Sequence, residues 1–286
     1  MSQSQSPIPT IGIFDSGVGG LSVLQAILEL IPAQGIVYLA DQAHVPYGPR
    51  SLEQVRNFSV EITRYLIGIG VKLVVVACNT ASAAALYSLR AAFPEIPFVG
   101  MEPALKPAAE HTQSKIVGVL ATPATFQGAL YASVVERFAT NVIIHTHTCP
   151  GLVEKIEAGN LDGTDTRQIL EEALIPMISK GVDTIVLGCT HYPFVIPLIQ
   201  HIVGPQIRVI DPAPAVARQV SRVLNQNSPM VIESSDLTRL KQTSYITTGD
   251  PIRFHYQLEQ LLKASSNVEQ LTWDEQAGKL FFVKSG

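Results

Sequence analysis

The sequence predicts an α/β protein of two pseudo-symmetric halves, each a doubly wound parallel-sheet domain, with the active site in the cleft between them. The first observation is that short β-rich segments alternate with helical patterns along most of the chain. The second is that segments such as 73–77 are apolar without alternation, as expected of strands covered on both faces. The third is an internal repeat, because residues 70–80 and 181–191 read as copies of each other.

The first half alternates between strand and helix in the order βαβαβαβ. Its apolar runs predict strands at 11–14, 36–40, 73–77 and 98–101. Periodic apolar patterns between these runs predict helices near 21–30, 52–69 and 81–92. This half runs to about residue 100.

The second half repeats that order from about residue 101 to 210. Strands are predicted at 116–120, 142–146, 184–188 and 207–210, with helices near 124–138, 165–180 and 193–203. The rest of the chain, 211–286, has a helical pattern near 213–226 and strand-like runs at 244–247 and 279–283, but no complete repeat. We expect it to pack back on the first half. The predicted domains are therefore 1–100 plus 211–286, and 101–210.

Composition and length narrow the class of protein. The chain has 286 residues, 47% hydrophobic and 15% charged, with a net charge of −4, so it lacks the basic excess that nucleic-acid binding requires. No apolar run approaches the length of a membrane span, and the polar N-terminus has no features of a signal peptide. Three widely spaced cysteines are expected to be free thiols in a reducing compartment. We therefore expect a cytoplasmic protein without nucleic-acid or membrane partners.

The repeat places one cysteine in each half at the same structural position. Cys78 and Cys189 both follow an apolar strand and precede a helix, where free N–H groups and the helix dipole favour a thiolate. The carboxyl ends of parallel strands are also where such sheets bind ligands. Two thiols presented from opposite sides suit chemistry on both faces of one atom. Cys149 has no counterpart in the first half and is interpreted as a structural thiol.

The glycine-rich segment Asp15-Ser-Gly-Val-Gly-Gly20 allows a rival interpretation. It follows the first strand and precedes a helix, as a dinucleotide-binding turn does, and Asp41 lies near the expected ribose-binding acid. Against a nucleotide site, Ser22 occupies the third glycine position and Asp15 would put a carboxylate beside the pyrophosphate. Glycines that merely turn the chain would leave Asp15 unexplained.

A second rival is a metal site. In an extended segment, His145, His147 and Cys149 would lie on one face as possible ligands. The spacing typical of a structural zinc site is missing, so we expect no metal. His191, two residues after Cys189, is interpreted as a proton-transfer partner rather than a core histidine.

Taken together, four motifs closely resemble those of the glutamate racemases, within the broader aspartate/glutamate racemase superfamily. They run in order from about residue 10 to 215: Gly12-Ile-Phe-Asp-Ser-Gly-Val-Gly-Gly-Leu-Ser-Val, Asp41 with Pro46-Tyr-Gly48, Ala77-Cys-Asn-Thr-Ala-Ser, and Gly188-Cys-Thr-His-Tyr-Pro. The last seventy residues add little to the resemblance.

The resemblance implies cofactor-independent interconversion of L- and D-glutamate, which supplies D-glutamate for peptidoglycan. It assigns Cys78 as the acid/base thiol for the D-enantiomer and Cys189 as that for the L-enantiomer. Asp15 would assist Cys78, while His191 and Glu157 fall where the partners of Cys189 are expected. Matching to the family gives these substrate-binding residues: Asp15, Ser16, Tyr47, Gly48, Asn79, Thr80, Thr122, Thr125, Thr190 and His191.

One departure from the family pattern lies at 121–125, where Gly-Thr-x-Gly-Thr is common. Here Thr122 and Thr125 are retained, but Ala121 and Ala124 replace the glycines, which bears on how closely the backbone approaches the substrate's side-chain carboxylate. Two alternatives stay open: an aspartate racemase, and a degenerate regulatory protein that kept the amino-acid cleft. A homodimer is the default assembly for such a protein.

Overall fold

The computed structural model describes residues 10–32, 35–227, 243–274 and 276–282. Strands and helices alternate through the first part of the chain: β1 (Thr10–Asp15), α1 (Leu21–Leu30), β2 (Gly35–Ala40), α2 (Leu52–Gly68), β3 (Leu73–Val76), α3 (Asn79–Ala92), β4 (Phe98–Gly100) and α4 (Leu105–His111). Two sequence predictions lie outside the described residues. They are the absence of a signal peptide at the N-terminus and the last residue, Val283, of the final predicted strand.

The alternation continues through the second part of the chain. Its elements are β5 (Ile116–Ala121), α5 (Pro123–Gln127), α6 (Ala129–Phe138), β6 (Ile143–His147), α7 (Leu152–Glu157), α8 (Thr164–Ser179), β7 (Thr184–Gly188), a 3₁₀ turn (Tyr192–Val195), α9 (Ile196–Val203) and β8 (Arg208–Ile210). The C-terminal part adds α10 (Ala213–Asn227), β9 (Thr243–Thr247), α11 (Pro251–Leu262), β10 (Val268–Asp274) and β11 (Lys279–Phe282).

Two sheets share one strand order, which confirms the predicted pseudo-symmetric α/β fold. The first contains β2-β1-β3-β4 and the second β6-β5-β7-β8, and every pairing within these two series is parallel. The first sheet is extended beyond β2 by β9 and β10 in parallel, and by β11 antiparallel to β10. Three C-terminal strands thus join the first sheet. The exact domain boundaries near residues 100 and 210 stay a prediction.

Helices cover both faces of the sheets, as the uninterrupted apolar runs predicted. On β3, Leu73 and Val75 belong to the apolar cluster that includes α1, whereas Val74 and Val76 belong to the cluster that includes α2 and α3. All four are buried, because successive side chains of a strand point to opposite faces. Within the described ranges, no helix is both long and apolar enough to cross a membrane.

Local sequence explains where several helices begin and end. Ser51 starts α2 with a capping box, in which its hydroxyl accepts from the backbone N–H of Gln54 and the Gln54 side chain accepts from Ser51. The single helix predicted at 124–138 is divided at Gly128, which is extended and packs so closely on Ala83 that a side chain would not fit. Helix α4, helix α7, helix α11 and strand β10 were not predicted.

Candidate active site

Both repeated thiols lie beyond the carboxyl ends of equivalent strands and face one cavity. Cys78 follows β3 and Cys189 follows β7, and each is 5% exposed. The other residues that line this cavity are Ser16, Pro46, Tyr47, Gly48, Asn79, Thr80, Thr122, Val153, Thr190 and His191. The cavity has a volume of about 10 Å³, close to the space that one water molecule needs.

Of the residues that the sequence predicted, those outside the cavity lining lie directly behind it. Asp15, Thr125 and Glu157 are buried, and each bonds a neighbour of the cavity. The Oδ1 atom of Asp15 accepts from the Thr190 hydroxyl at 3.4 Å, and Glu157 contacts the His191 ring. All the predicted site residues are therefore brought to one place.

Cys78 lies at the start of α3, next to the buried carboxyl group of Asp15. Its Sγ atom accepts a hydrogen bond from the backbone N–H of Ala81 at 3.4 Å. Burial raises the pKa of the Cys78 thiol well above its usual value, and the charge of Asp15 raises it further. Burial also raises the pKa of Asp15. These surroundings favour the protonated thiol at Cys78.

The glycine-rich turn after β1 is organised by carboxylates. Asp15 Oδ2 accepts from the backbone N–H of Gly20 at 2.8 Å and of Gly17 at 3.3 Å. Glu157 Oε1 accepts from the backbone N–H of Val18 at 2.8 Å. The amide groups that a pyrophosphate would need are thus already bonded to carboxylates, which is unfavourable for the nucleotide alternative.

Glycines in this turn are required by what packs against it. A Cβ atom at Gly17 would collide with the carboxylate of Glu157, and one at Gly19 would collide with the His191 ring. At Gly20, it would contact Asp15 and the Tyr38 hydroxyl. The turn can therefore approach the second half closely only because these side chains are missing.

Cys189 lies at one end of a chain of three side chains. Its Sγ atom is 3.7 Å from His191 Nδ1, and His191 Nε2 is 2.7 Å from Glu157 Oε1. Burial alone would lower the pKa of His191, but its hydrogen bonds to Cys189 and Glu157 raise it well above 6.5. Burial would raise the pKa of Glu157, but His191 and the Val18 amide hold it below 4.5. These shifts favour an imidazolium paired with a carboxylate.

Two glutamines that hold Glu157 were not predicted from the sequence. The Gln257 side chain donates to the Glu157 backbone oxygen at 2.6 Å and lies 3.3 Å from its Oε2 atom. Gln42 Nε2 lies 3.4 Å from the same Oε2 atom. Gln42 lies in the loop after β2 and Gln257 in α11, while Glu157 belongs to α7 of the second half. No local motif marks either glutamine, so sequence spacing could not have found them.

Polar groups without charge line the other side of the cavity. The Thr80 hydroxyl is 2.8 Å from that of Thr122, which is 2.9 Å from that of Thr125. Among the described residues, both side-chain polar atoms of buried Asn79 lack a hydrogen-bond partner. Groups of this kind can bind a carboxylate or an ammonium that enters the cavity.

The alanine at 121 is accommodated without disturbing these threonines, and Ala124 is buried in α5. Ala121 ends β5 and packs on Gly188 of the neighbouring strand β7, where a Cβ atom would come within 2.8 Å of the Ala121 methyl group. Thr122 still caps α5, because its hydroxyl accepts from the Thr125 backbone N–H at 3.2 Å. The absence of a side chain at Gly188 therefore makes room for the alanine.

The histidines near Cys149 do not form a metal site in this geometry. His147 Nδ1 accepts from the backbone N–H of Cys149 at 3.0 Å, which turns that nitrogen toward the chain. Across the part of the chain that the structure describes, no three His, Cys, Asp or Glu side chains are grouped to bind a metal ion. Cys149 is buried outside the cavity between the two thiols, and burial raises its pKa to about 12.

Comparison with known proteins places this geometry in a family. The family model described as Asp/Glu/Hydantoin racemase matches residues 11–220. A glutamate racemase from Ectopseudomonas mendocina is 47% identical over 94% of this chain and 99% of its own length. One from Roseiflexus is 47% identical over 94% of this chain and 96% of its own length.

Solved structures agree with the sequence relatives. Escherichia coli glutamate racemase, in complex with L-glutamate and the activator UDP-MurNAc-ala, has a TM-score of 0.80 and is 32% identical; the match covers 93% of this chain and 99% of that one. The Francisella tularensis enzyme, in complex with D-glutamate, also has a TM-score of 0.80, at 27% identity, covering 92% of this chain and 97% of that one.

Proposed function

The chain belongs to the glutamate racemases of the Asp/Glu/Hydantoin racemase family, and from this premise we propose that Cys78 and Cys189 interconvert L- and D-glutamate by proton transfer. The enzyme is an isomerase that acts on an amino acid, and the family's role is to provide D-glutamate for peptidoglycan synthesis. The observation that carries the mechanism is that equivalent strands of two repeated sheets present one thiol each to a single cavity.

Inversion at the α-carbon requires two opposed groups. The α-proton is very weakly acidic, so a base must remove it from one face while an acid delivers another proton to the opposite face. With L-glutamate, the Cys189 thiolate takes the α-proton and the Cys78 thiol gives its proton to the other face. The resulting enzyme has a Cys78 thiolate and a Cys189 thiol, which is the form that accepts D-glutamate.

Neighbouring charges favour the starting state for L-glutamate. The His191 imidazolium, held by Glu157, donates from Nδ1 toward the Cys189 sulfur and stabilises its negative charge. On the opposite side, burial and the Asp15 carboxylate keep the proton on Cys78. After proton transfer, Asp15 is placed to assist Cys78 in the reverse reaction, and His191 to share a proton with Cys189.

Substrate binding is assigned to the polar groups of the cavity. Asn79 brings a buried amide with no partner among the described residues. The hydroxyls of Thr80, Thr122 and Thr125 form one cluster that can donate to a carboxylate. The remaining binding positions are the residues adjacent to the thiols and on the neighbouring loops: Asp15, Ser16, Tyr47, Gly48, Thr190 and His191.

Charge development at the α-carbon must be stabilised by the protein. Hydrogen bonds in a cavity that excludes water are far stronger than in solvent, so Asn79, Thr80 and Thr190 can stabilise the carbanion-like transition state. The cavity of about 10 Å³ is too small for glutamate, so the surrounding elements must separate for substrate to enter and close again around it.

The activity is tested by circular dichroism of purified, chelator-treated enzyme without pyridoxal phosphate, with L-glutamate and L-aspartate in parallel. We expect the circular dichroism signal to decay to zero with L-glutamate and to stay constant with L-aspartate. Decay with aspartate alone would favour the aspartate racemase alternative. Thermal stabilisation by glutamate without turnover would favour the degenerate binding protein. Activity that is present before chelator treatment and absent after it would favour a metal-dependent enzyme.

We further propose that the enzyme works in the cytoplasm as a homodimer. The precursors of peptidoglycan carry D-glutamate, so the racemase is expected in the compartment where those precursors form. Two-fold dimers are the commonest assemblies of soluble oligomers. Sedimentation equilibrium would test the dimer, since a mass equal to one chain of 30.9 kDa at micromolar concentration would contradict it.

A further inference from the structure

A completely buried carboxylate that the mechanism does not use lies beside the substrate-binding loop. Asp41 follows β2 and is 0% exposed. Its Oδ2 atom accepts from His44 Nδ1 at 2.9 Å and from the Tyr47 hydroxyl at 2.6 Å. Its Oδ1 atom accepts from the Thr248 hydroxyl and from Trp273 Nε1, both at 2.7 Å. Four side chains therefore donate to one carboxylate.

The two oxygens of Asp41 serve two different parts of the chain. Oδ2 holds the substrate loop, which we define as residues 44–48 and which places Tyr47 and Gly48 at the cavity. Oδ1 holds the C-terminal segment, which we define as residues 243–274, because Thr248 follows β9 and Trp273 lies in β10. Asp41 itself does not line the cavity. Its bonds therefore tie the substrate loop to strands at the far end of the sequence.

Aromatic packing reinforces the same connection. The His44 ring stacks on Phe58 with centroids 3.8 Å apart and meets Trp273 edge-on at 5.0 Å. The Ala43 backbone N–H donates to the Thr248 hydroxyl at 3.0 Å. The substrate loop thus touches the C-terminal segment through the His44 ring, and the residue that precedes the loop is hydrogen-bonded to Thr248.

We propose that Asp41 is a positioning residue that fixes the substrate loop, through Tyr47 on one side and Trp273 on the other, against the C-terminal segment. The inference rests on the proposed function, because the loop lines the cavity to which glutamate is assigned. It also gives Thr248 and Trp273, in the C-terminal part of the chain, a role in the reaction that the sequence did not suggest. Asp41 acts through Tyr47 and the loop backbone and does not touch the substrate.

The physical reason is pre-organisation. A loop held by charge-assisted hydrogen bonds has already lost its conformational freedom, whereas a loosened loop must lose that freedom when substrate binds. Loosening it weakens ground-state and transition-state binding alike, which raises KM more than it lowers kcat. Because the two enantiomers have equal free energy, kcat/KM must fall by the same factor in both directions.

The test compares wild type, Asp41→Asn and Asp183→Asn. Asp183 is a matched control, because it also accepts four hydrogen bonds, from the Thr112 and Thr184 hydroxyls and the Gln113 and Ser114 amides. It precedes β7 at the end of the sheet opposite Cys189. Both variants should lower Tm. We expect KM to rise about tenfold in Asp41→Asn alone, as for the loss of one charge-assisted hydrogen bond.

A rise in KM of less than about twofold in folded Asp41→Asn, or an equal rise in Asp183→Asn, would overturn the inference. If Asp41→Asn does not fold, Trp273→Phe removes one donor and keeps an aromatic ring, and its KM should rise about threefold. An unchanged KM in Trp273→Phe would also overturn the inference. An inactive wild type would remove the proposed function, whereas an active wild type with an unchanged variant removes the inference alone.

Fluorescence gives a readout that general destabilisation would not change. Trp273 is the one tryptophan in the chain, so its emission reports on the Asp41 carboxylate. Because the loop is already fixed in wild type, we expect glutamate to change its emission little, and that of Asp183→Asn equally little. In Asp41→Asn, glutamate should order the loosened loop and its His44 ring against Trp273 and change the emission, with a midpoint near KM. Equal responses in wild type and Asp41→Asn would contradict a connection between the loop and Trp273.

Discussion

At the scale of single residues, the two thiols occupy equivalent positions but have unlike neighbours. Cys78 lies next to a buried carboxyl group, Asp15, whereas Cys189 lies next to an imidazole ring, His191. A carboxylate beside a thiol opposes its ionisation, and an imidazolium beside a thiol favours it. The repeated fold therefore supplies matched positions, and the proposed mechanism assigns to the neighbouring residues the choice of which sulfur holds the proton.

Removing either thiol should abolish racemisation but leave one half-reaction. We expect Cys78→Ala and Cys189→Ala to lose at least about a thousandfold in kcat, because neither can act on both faces. In D₂O, Cys78→Ala should still exchange the α-proton of L-glutamate, because Cys189 remains. Cys189→Ala should still exchange the α-proton of D-glutamate, because Cys78 remains. Proton NMR of each enantiomer measures this exchange.

Cys149→Ala is the matched control for the two thiol variants. Cys149 is equally buried but does not line the cavity between the thiols, so its loss should leave racemisation near wild type. Near-normal racemisation by either Cys78→Ala or Cys189→Ala would remove that thiol from the mechanism.

The His191–Glu157 pair predicts how the rate depends on pH. The pKa of Glu157 is held below 4.5 and that of His191 is raised well above 6.5. The ion pair therefore persists over the whole pH range that separates the pKa of Glu157 from that of His191. The rate with L-glutamate should fall as the pH drops through the pKa of Glu157 and as it rises through that of His191. Glu157→Gln removes the anion that raises the His191 pKa, so the alkaline limit should move to lower pH by about one unit or more.

The profile of kcat/KM between pH 4 and 11 checks this prediction, with Glu154→Gln as control. Glu154 lies on the same helix, α7, but its side chain is exposed. An alkaline limit that stays in place in Glu157→Gln would mean that His191 does not depend on Glu157.

At the scale of elements, the turn after β1 is shaped by the second half of the molecule. Glu157 of α7 accepts the Val18 N–H, and Glu157 and His191 occupy the space beside Gly17 and Gly19. The sequence identified this turn as functional and favoured an amino-acid site over a nucleotide site. It could not reveal the reason for the glycines, because the groups that pack on them are more than a hundred residues away.

Gly17→Ala tests this packing. The new methyl group would displace the Glu157 carboxylate, so we expect a loss of stability of about 1–3 kcal/mol and a fall in kcat/KM of about tenfold or more. Gly68→Ala is the control, since that glycine ends α2 with open space around it and should gain up to about 1 kcal/mol without change in rate. A Gly17→Ala enzyme with wild-type kinetics would show that Glu157 need not lie where the structure places it.

Elements with a strong periodic signal could be predicted from the sequence, and those defined by distant contacts could not. Helix α1 and strand β7 have the predicted bounds, because continuous apolar patterns mark them at both ends. Helix α7, which carries Glu157, has six residues, too few for a helical period to be distinguished. The residues in α11 and β10 that support the site also went unrecognised, since the resemblance to the family weakens after residue 215.

At the scale of the whole molecule, the two sheets share one apolar core. A single cluster of buried side chains contains Leu21 and Val75 from the first half and Leu120, Leu187 and Tyr192 from the second. Polar contacts also join the halves, among them the bonds of Glu157 to Val18 and of Thr80 to Thr122. The repeat in the sequence predicted two similar units, but not how extensively they would pack together.

This shared core predicts that the protein unfolds in one step. Calorimetry should show a single thermal transition, and glutamate at one hundred times its Kd should stabilise the folded chain by about 2.7 kcal/mol. Two transitions, of which glutamate shifts one, would mean that the halves are thermodynamically independent.

The most direct test of the two-thiol mechanism is which glutamate enantiomer takes up deuterium from the solvent at the start of the reaction. Wild-type enzyme is incubated with L-glutamate in D₂O, and both enantiomers are separated and examined by mass spectrometry before a tenth of the substrate has reacted. We predict that D-glutamate carries deuterium at its α-carbon in nearly every molecule, while the remaining L-glutamate is unlabelled. Product that retains the original α-proton, or early label in L-glutamate, would mean that one group serves both faces and would contradict opposed acid and base at Cys78 and Cys189.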